Sequence, residues 1–224
     1  RSSAASDVYK RQALVRATTA DDVACAMTAA RRHKVSLTFR SGGTSLSGQG
    51  LTDGIMVDTR RAFRGIEVLD EGRRVRVQPG ATIRAVNTAL ARYQRKLGPD
   101  PASSVACTVG GVLADNSSGM SCGTIANSYQ TLESMVIVLA SGTVLDTADP
   151  DADDKLCSTG PELVETLLRL RETCRRPEHA ERIRHLFSMK NTMGYGLNSF
   201  LDHDSPSQIL SHLMIGSEGT LGFI

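Results

Sequence analysis

A glycine-rich run at residues 40–50, RSGGTSLSGQG, constrains this chain more than any other stretch. Its four glycines and four hydroxyl side chains leave Leu46 as the one apolar residue, so the run cannot contribute to a hydrophobic core. Short apolar segments at residues 35–39 and 55–57 flank the run and are typical of strands. Glycine lets the main chain approach a ligand closely, and successive free amides form a concave anion site. The run therefore predicts a loop between two strands that holds a diphosphate.

The sequence on either side of this loop predicts a small α/β unit. Thr19, followed three residues later by Asp22, is typical of a helix N-terminus and predicts a helix from about residue 20 to residue 33. Strands are expected at residues 36–40 and 55–58, immediately before and after the loop.

A hairpin and a second helix complete this unit. Residues 63–69 and 74–77 are apolar segments around a short acidic turn, which predicts two antiparallel strands. Thr82 is a residue type that begins helices, and Gly98 is one that ends them. Between them, apolar residues recur at spacings of three and four, at Ile83, Val86, Leu90, Tyr93 and Leu97. This spacing predicts a helix that continues to Gly98.

Two further glycine-rich clusters follow. Residues 98–123 read GPDPASSVACTVGGVLADNSSGMSCG and contain one short apolar turn at residues 109–114. A loop of this length inside a compact domain is usually functional. The third cluster, GSEGTLGFI at residues 216–224, runs into an apolar strand. Three such clusters indicate one extended ligand contacted at several points, such as a dinucleotide with a flat ring system.

The remaining chain predicts further helices and one hairpin. Residues 134–140 and 143–147 are expected to form antiparallel strands. A helix is expected from about residue 161 to residue 175, with a basic helical stretch continuing to about residue 187. Residues 1–12 are small and polar without periodicity, and we expect a disordered tail or an expression remnant there.

Composition excludes several classes of function. The 26 basic residues are balanced by 24 acidic ones and there is no tryptophan, so no nucleic-acid partner is expected. The longest apolar run, residues 135–140, is far shorter than the roughly 20 residues of a membrane span, so no transmembrane segment is expected. Five scattered cysteines indicate reduced thiols and a cytoplasmic location, with peripheral attachment to the inner membrane left open.

Two familiar phosphate-binding motifs do not fit the first glycine-rich run. A P-loop places Gly-Lys before Ser or Thr, and Gly-Lys does not occur in this chain. The Rossmann fingerprint opens a helix with GxGxxG, whereas the spacing fails after Gly48 and Gly50 and a second strand is expected to follow.

A third motif resembles the nucleophile elbow of serine hydrolases. Residues 119–123 read GMSCG and would make Ser121 the nucleophile. The elbow requires an apolar strand before it and a helix after it, whereas polar residues precede this motif and little helical pattern follows. A serine hydrolase using Ser121 is therefore a remote alternative.

No metal site is expected. The acidic run at residues 149–154 imitates a calcium loop but has Asp154 where the loop needs Gly, so we interpret the run as a solvated loop. The five histidines form no recognised metal pair, and surface histidines are the expected interpretation.

The three glycine-rich clusters, taken in order, resemble the FAD-binding domain of the vanillyl-alcohol-oxidase (PCMH-type) superfamily. Within it they look like the FAD-linked D-2-hydroxyacid dehydrogenases. The segments NSSGMSCGT and KNTMGYGLNSFLDH further resemble large bacterial D-2-hydroxyglutarate or D-lactate enzymes that are fused to an iron–sulfur module. The resemblance implies an α+β fold of two subdomains, about residues 13–97 and about residues 98–224, with FAD between them. It also implies that the chain stops before a substrate domain.

The resemblance assigns cofactor-binding roles to residues in each cluster. Those expected to wrap the pyrophosphate through backbone amides are Arg40, Ser41, Gly42, Gly43, Thr44, Ser45, Gly48 and Gln49. Those expected to line the isoalloxazine and ribityl chain, or to lie near it, are Pro101, Ser103, Ser104, Thr108, Gly110, Gly111, Asn116, Ser118 and Gly119. Those expected to approach the pyrophosphate and adenine are Glu218, Gly219 and Ile224.

Two departures from the family pattern bear on the flavin. The family often has glycine where Ser41 stands, so this position must accept a side chain. Relatives that attach flavin through histidine carry that histidine where this chain has Thr44 and Ser45, so we expect non-covalent FAD. Cys107 lies near the place where some relatives use a cysteine linkage, and we interpret it as a packed thiol.

The implied reaction is hydride transfer from the α-carbon of a D-2-hydroxy acid to flavin N5, which yields the 2-oxo acid. Electrons would pass to a quinone, an iron–sulfur cluster or a protein acceptor. The catalytic groups are expected in a C-terminal domain beyond Ile224, so the 224-residue chain alone should bind FAD weakly and turn over no substrate. A non-catalytic FAD-binding subunit of a larger complex is the alternative.

Overall fold

The structure is a computed structural model that describes residues 13–224, so the tail expected at residues 1–12 lies outside the described residues. The strands are β1 (Ala13–Arg16), β2 (Leu37–Arg40), β3 (Ile55–Asp58), β4 (Ile66–Leu69), β5 (Arg74–Val77), β6 (Val136–Leu139), β7 (Val144–Asp146) and β8 (Gly222–Phe223). The helices are α1 (Ala20–His33), α2 (Ile83–Ala91), α3 (Val109–Asp115), α4 (Ser128–Thr131), α5 (Ala152–Thr159), α6 (Pro161–Cys174), α7 (Pro177–Ser188), α8 (Ser199–Asp202) and α9 (Pro206–Leu213).

The first glycine-rich run connects two strands of a parallel sheet. This sheet has the order β1-β3-β2, and Leu37 of β2 and Ala13 of β1 both pair with Ile55 of β3. The loop therefore leaves the carboxyl end of β2, the edge at which ligands bind in many α/β sheets. The two strands around the loop confirm the sequence prediction, whereas β1 was not predicted.

Helix α1 confirms the predicted N-terminal capping pair. The Thr19 hydroxyl accepts a hydrogen bond from the Asp22 amide at 3.1 Å, and the Asp22 carboxylate accepts one from the Thr19 amide at 3.1 Å. These bonds satisfy two amides that the first helical turn leaves without intrahelical partners. Val23, Ala26 and Ala30 form the buried face of the helix.

The second predicted helix is shorter than expected. β4 and β5 form the predicted hairpin, and α2 packs against it through Val86 and Leu90, but α2 ends at Ala91 instead of continuing to Gly98. Gln94 adopts a left-handed backbone conformation with a φ of 56°, which no helix interior tolerates. The Leu97 amide then donates to the Asn87 side-chain oxygen at 2.8 Å, so this bond fixes the chain after the helix.

A second sheet and a helical layer form the largest core. β6 lies between β7 and β8, and both neighbours pair with it in the antiparallel direction. One hydrophobic cluster joins this sheet to α5, α6, α8 and α9, and a second joins Val138 and Phe223 to Val57 of the first sheet. Residues on both sides of the predicted subdomain boundary at residue 97 thus share a core, and the division into two subdomains stays a prediction.

The acidic run at residues 149–154 is not a solvated loop throughout. α5 begins inside it, and the Asp153 carboxylate accepts hydrogen bonds from the Ser205 hydroxyl at 2.6 Å and the Ser207 amide at 2.8 Å. Burial acts to raise the pKa of Asp153, but these hydrogen bonds outweigh it and lower the pKa.

The basic stretch after α6 is a separate helix, α7, because Pro177 disfavours helical geometry in the residue before it.

The expectation of surface histidines is wrong for His212. Its ring is buried, stacks on the ring of His203 with centroids 3.9 Å apart, and meets the edge of Tyr129 at 4.8 Å. Burial lowers the pKa of both imidazoles, so the folded protein favours their neutral forms.

None of the helices among residues 13–224 is long and apolar enough to cross a membrane.

Candidate FAD-binding site

The three glycine-rich clusters meet around the short helix α3. The first cluster contacts Thr108 at the N-terminus of this helix, and the third contacts Leu113 and Ala114 in its last turn. The second cluster contains the helix itself. The sequence separates these clusters by long stretches, and the fold brings them to one place.

The loop of the first cluster has the properties of an anion site. Within residues 13–224, the backbone amides of residues 42–46 donate no hydrogen bond. Gly43 has a φ of 66°, a conformation that favours glycine, and a Cβ there would lie 3.1 Å from Nε of Arg40. The Arg40 guanidinium forms no ion pair within the described residues. Free amides beside an unpaired guanidinium fit the diphosphate of FAD.

Ser41 joins the first cluster to the second. Its hydroxyl lies 2.6 Å from the Thr108 hydroxyl, so the side chain at this position makes a direct contact. Beside it, Gly42 lies so close to the second cluster that a Cβ would stand 2.7 Å from the Ala106 carbonyl oxygen and 3.0 Å from Cα of Cys107. The first loop and the turn before α3 therefore form one surface.

Other residues of the first loop lie on its exposed tip. Thr44, Ser45, Gly48 and Gln49 are exposed, and the Ser45 hydroxyl donates to the Gln49 side-chain oxygen. This bond joins two side chains of the tip and uses none of the backbone amides.

The third cluster is tied to the end of α3 by its backbone. The Gly216 amide donates to the Leu113 carbonyl and the Glu218 amide donates to the Ala114 carbonyl, each at 2.9 Å. A Cβ on Gly219 would lie 3.8 Å from the ring of Phe39 in β2, so this cluster also reaches the strand that precedes the first loop.

A cleft of about 390 Å³ opens beside the C-terminal end of α3. Its lining includes four residues that the family resemblance assigned to the flavin or its vicinity, namely Pro101, Asn116, Ser118 and Gly119. The Asn116 side-chain oxygen is buried without a hydrogen-bond partner among the described residues. An unpaired buried oxygen needs a donor from a ligand or from water.

Some assigned residues lie outside this cleft. Ser103 and Gly111 are exposed, and the backbones of Ser104 and Gly110 bond to Arg84 and Pro79. Ile224 packs against the core that contains β6 and α9. Their roles toward the cofactor stay predictions.

Two carboxyl groups stand together at the end of α3. Partial burial, a hydrogen bond with Asp115 and the negative charge of Asp115 raise the pKa of Glu218 to about 7. Asp115 also accepts a hydrogen bond from the Ser117 hydroxyl. This pair holds a proton near neutral pH at the point where the second and third clusters meet.

Asp115, Ser117, Lys190 and Thr192 also line the cleft and were not predicted. Lys190 and Thr192 belong to the segment KNTMGYGLNSF, whose two glycines were a usable signal of a loop near a ligand. Because these two residues lie far along the sequence from the other clusters, the sequence did not indicate that they line the same cleft.

The nucleophile elbow around Ser121 is absent. Before Ser121, Gly119 pairs with Asp100 only in an isolated β-bridge, so no strand leads into the serine. After it, residues 120–127 form turns and bends, and the next helix begins only at Ser128. Because the elbow needs a strand and a helix that meet directly at the serine, the hydrolase alternative is wrong.

Two curated dehydrogenases are similar to this chain in sequence. D-2-hydroxyglutarate dehydrogenase of Pseudomonas putida is 33% identical over 227 residues, which cover 97% of this chain and 22% of that protein. D-lactate dehydrogenase of Archaeoglobus fulgidus is 25% identical over 213 residues, which cover 94% of this chain and 36% of that protein. The chain thus spans well under half the length of these curated relatives.

Solved structures share the fold. A glucooligosaccharide oxidase from Acremonium strictum, which carries 6-S-cysteinyl, 8α-N1-histidyl FAD, matches 65% of this chain and 31% of its own with a TM-score of 0.54 and 20% identity. This likeness confirms the predicted α+β FAD-binding fold. Residues 11–148, more than half of the chain, match the family described as the FAD binding domain. The chain therefore belongs to the FAD-binding domain family.

Proposed function

We propose that this chain binds FAD non-covalently as the cofactor-binding part of a dehydrogenase that oxidises a D-2-hydroxy acid to the 2-oxo acid. The convergence of three glycine-rich clusters on α3 carries the proposal, because it offers one extended ligand several contacts at once. The full-length D-2-hydroxyglutarate and D-lactate dehydrogenases that resemble the chain support the substrate class.

The residues of this chain bind and orient the cofactor. The free amides of residues 42–46 and the Arg40 guanidinium would hold the diphosphate, since several N–H donors and one cation match its charge. The cleft beside α3 would receive part of the ring system, with the unpaired oxygen of Asn116 as an acceptor for a ring N–H.

FAD bound there would supply the two-electron acceptor for the hydride of the substrate α-carbon, while the hydroxyl proton passes to a base. The base and the groups that bind the substrate carboxylate are expected outside these residues, and so is any iron–sulfur cluster. The final acceptor would be a quinone, an iron–sulfur centre or a protein.

The proposed dehydrogenase activity is tested by loading the complete protein with FAD and offering both enantiomers of 2-hydroxyglutarate and lactate with an artificial electron acceptor. We expect the D-enantiomers to yield 2-oxo acids and the L-enantiomers to yield none. FAD binding without oxidation of any 2-hydroxy acid would instead identify a non-catalytic FAD-binding subunit.

Acid precipitation is expected to release all of the flavin. Cα of Cys107 would lie 3.0 Å from a Cβ on Gly42 in the first loop, and burial raises the pKa of the Cys107 thiol, so the thiolate needed for a covalent bond is disfavoured. Thr44 and Ser45 offer no imidazole. After trichloroacetic acid treatment, the yellow colour should remain in the supernatant, and a yellow pellet would contradict non-covalent binding.

FAD affinity is expected to fall as the pH rises through neutrality. Below about pH 7 the Glu218 carboxyl is protonated, and above it a second negative charge develops beside Asp115, at the edge of the cleft that would hold part of the anionic cofactor. We expect the Kd for FAD to rise roughly threefold or more between about pH 6 and about pH 8.5. Quenching of flavin fluorescence on binding measures this Kd.

The matched variants separate this charge from other effects of pH. Glu218→Gln cannot ionise and should bind FAD with a Kd that is nearly constant over this range. Glu165→Gln, which changes an exposed glutamate of α6, should keep the wild-type pH dependence. An unchanged pH dependence in Glu218→Gln would show that another group is responsible.

A cytoplasmic location is part of the proposal. All five cysteines, Cys25 to Cys174, are free, and two of them are exposed. Exposed free thiols are typical of a reducing compartment.

A further inference from the structure

Lys190 brings a positive charge to the cleft beside α3. Among the described residues that line this cleft, Lys190 is the one cation, and its ammonium donates a hydrogen bond to the Gly119 carbonyl. It forms no ion pair with any carboxylate in residues 13–224, although Asp115 lines the same cleft. The charge is therefore available to a ligand.

The segment that carries Lys190 is fastened to the site at several points. The Asn116 side-chain amide donates to the Asn191 carbonyl at 3.5 Å, and a Cβ on Gly216 would lie 2.7 Å from the Gly194 carbonyl oxygen. The Tyr195 hydroxyl lies 2.7 Å from the Thr220 hydroxyl. Residues 190–195 thus contact both Asn116, the residue that follows α3, and the third glycine-rich cluster, and they form a fourth segment of the site.

We propose that Lys190 contacts the ring system of the bound flavin and that its charge increases the affinity of the ring for electrons. The inference rests on the proposed function, because it requires FAD in the cleft. Hydride transfer adds negative charge to a flavin ring, and a fixed cation stabilises that charge most strongly where the ligand excludes water. Proteins tune flavin electronics through charges placed beside the ring.

Sulfite titration of the complete FAD-loaded protein tests this role without substrate turnover. Sulfite adds reversibly to oxidised flavins and leaves negative charge on the ring, so a nearby cation tightens its binding. The fading of the visible flavin absorption gives its Kd. For Lys190→Met, we expect this Kd to rise roughly tenfold or more, while Lys190→Arg, which keeps the charge, should remain within about threefold of the wild type.

Two further variants separate charge from structure. Lys190→Gln can still donate to the Gly119 carbonyl but carries no charge, so it should weaken sulfite binding as Lys190→Met does. Lys155→Met removes a charge from an exposed position on α5 outside the cleft and should leave sulfite binding unchanged. Loss of FAD from Lys190→Gln while Lys190→Arg retains it would likewise support the charge contact.

The outcomes also distinguish this inference from the proposed function. If Lys190→Gln retains FAD and binds sulfite as tightly as the wild type, the role of Lys190 is overturned and FAD binding stands. If the wild-type protein retains no FAD, the proposed function is overturned together with this inference.

Discussion

Replacing Gly119 with alanine is expected to destabilise the protein by about 3 kcal/mol or more. A Cβ at this position would lie 1.8 Å from the Asp100 carbonyl oxygen, and Gly119 has a φ of 72° that side chains rarely adopt. The colliding oxygen belongs to the backbone that pairs with Gly119 in a β-bridge, so no side-chain rotation can relieve the contact. The melting temperature of the FAD-loaded protein should fall by roughly 6–12 °C, measured by the rise of flavin fluorescence on heating.

Gly123→Ala is the matched control for this collision. Gly123 also has a left-handed backbone, with a φ of 56°, but a Cβ there would meet no atom within 4 Å. Its replacement should therefore cost only the backbone strain of about 1–2 kcal/mol. Equal melting temperatures for the two variants would contradict the steric argument and would leave backbone strain as the whole effect.

Local chemistry explains which parts of the fold were predictable. α1 was predicted with its bounds because Thr19 and Asp22 form a capping pair that needs no tertiary contact. α2 was predicted too long, because the apolar spacing continues through Tyr93 and Leu97 after the backbone has left the helix. The conformation of Gln94 and the bond from Leu97 to Asn87 decide its end, and neither has a sequence signal.

Helix α9 was missed for the opposite reason. Most of its residues are buried, and these include the polar side chains of Ser207, Ser211 and His212, so polar residues occupy inward positions that a search for apolar spacing does not mark. β1 was missed because four residues with little burial carry no alternation. Both α9 and β1 therefore depend on tertiary contacts that the local sequence does not show.

The candidate site likewise has one part that the sequence reveals and another that only the fold reveals. Glycine and hydroxyl residues that present backbone amides, such as those of residues 40–50, are visible in local composition, because the chemistry lies in the main chain. Lys190 and Asp115 are single charged residues among 50 on this chain, and only the fold brings them to one cleft. The sequence alone therefore proposes residues for the diphosphate, whereas the charged candidates around the flavin ring are found only with the fold.

Replacing Gly42 with alanine is expected to weaken FAD binding roughly a hundredfold. The added Cβ would stand 2.7 Å from the Ala106 carbonyl oxygen, and the segment around it is fixed by hydrogen bonds from the Ile83 amide to Cys107 and from the Arg84 amide to Ser104. The first loop must therefore move away and lose the 2.6 Å contact between Ser41 and Thr108. Titration of the FAD-free protein with FAD, followed by fluorescence quenching, measures the effect.

Two variants separate the geometry of this junction from simple loss of a glycine. Gly50→Ala places its Cβ 3.7 Å from Cγ of Arg40, an ordinary contact, and should change the Kd for FAD less than about twofold. Ser41→Ala removes one hydrogen bond without a collision and should weaken binding about three- to tenfold. If Gly42→Ala bound FAD as tightly as Gly50→Ala with an unchanged circular dichroism spectrum, the first and second clusters could not be acting on FAD as one surface. Their close approach at Gly42 would then serve packing alone.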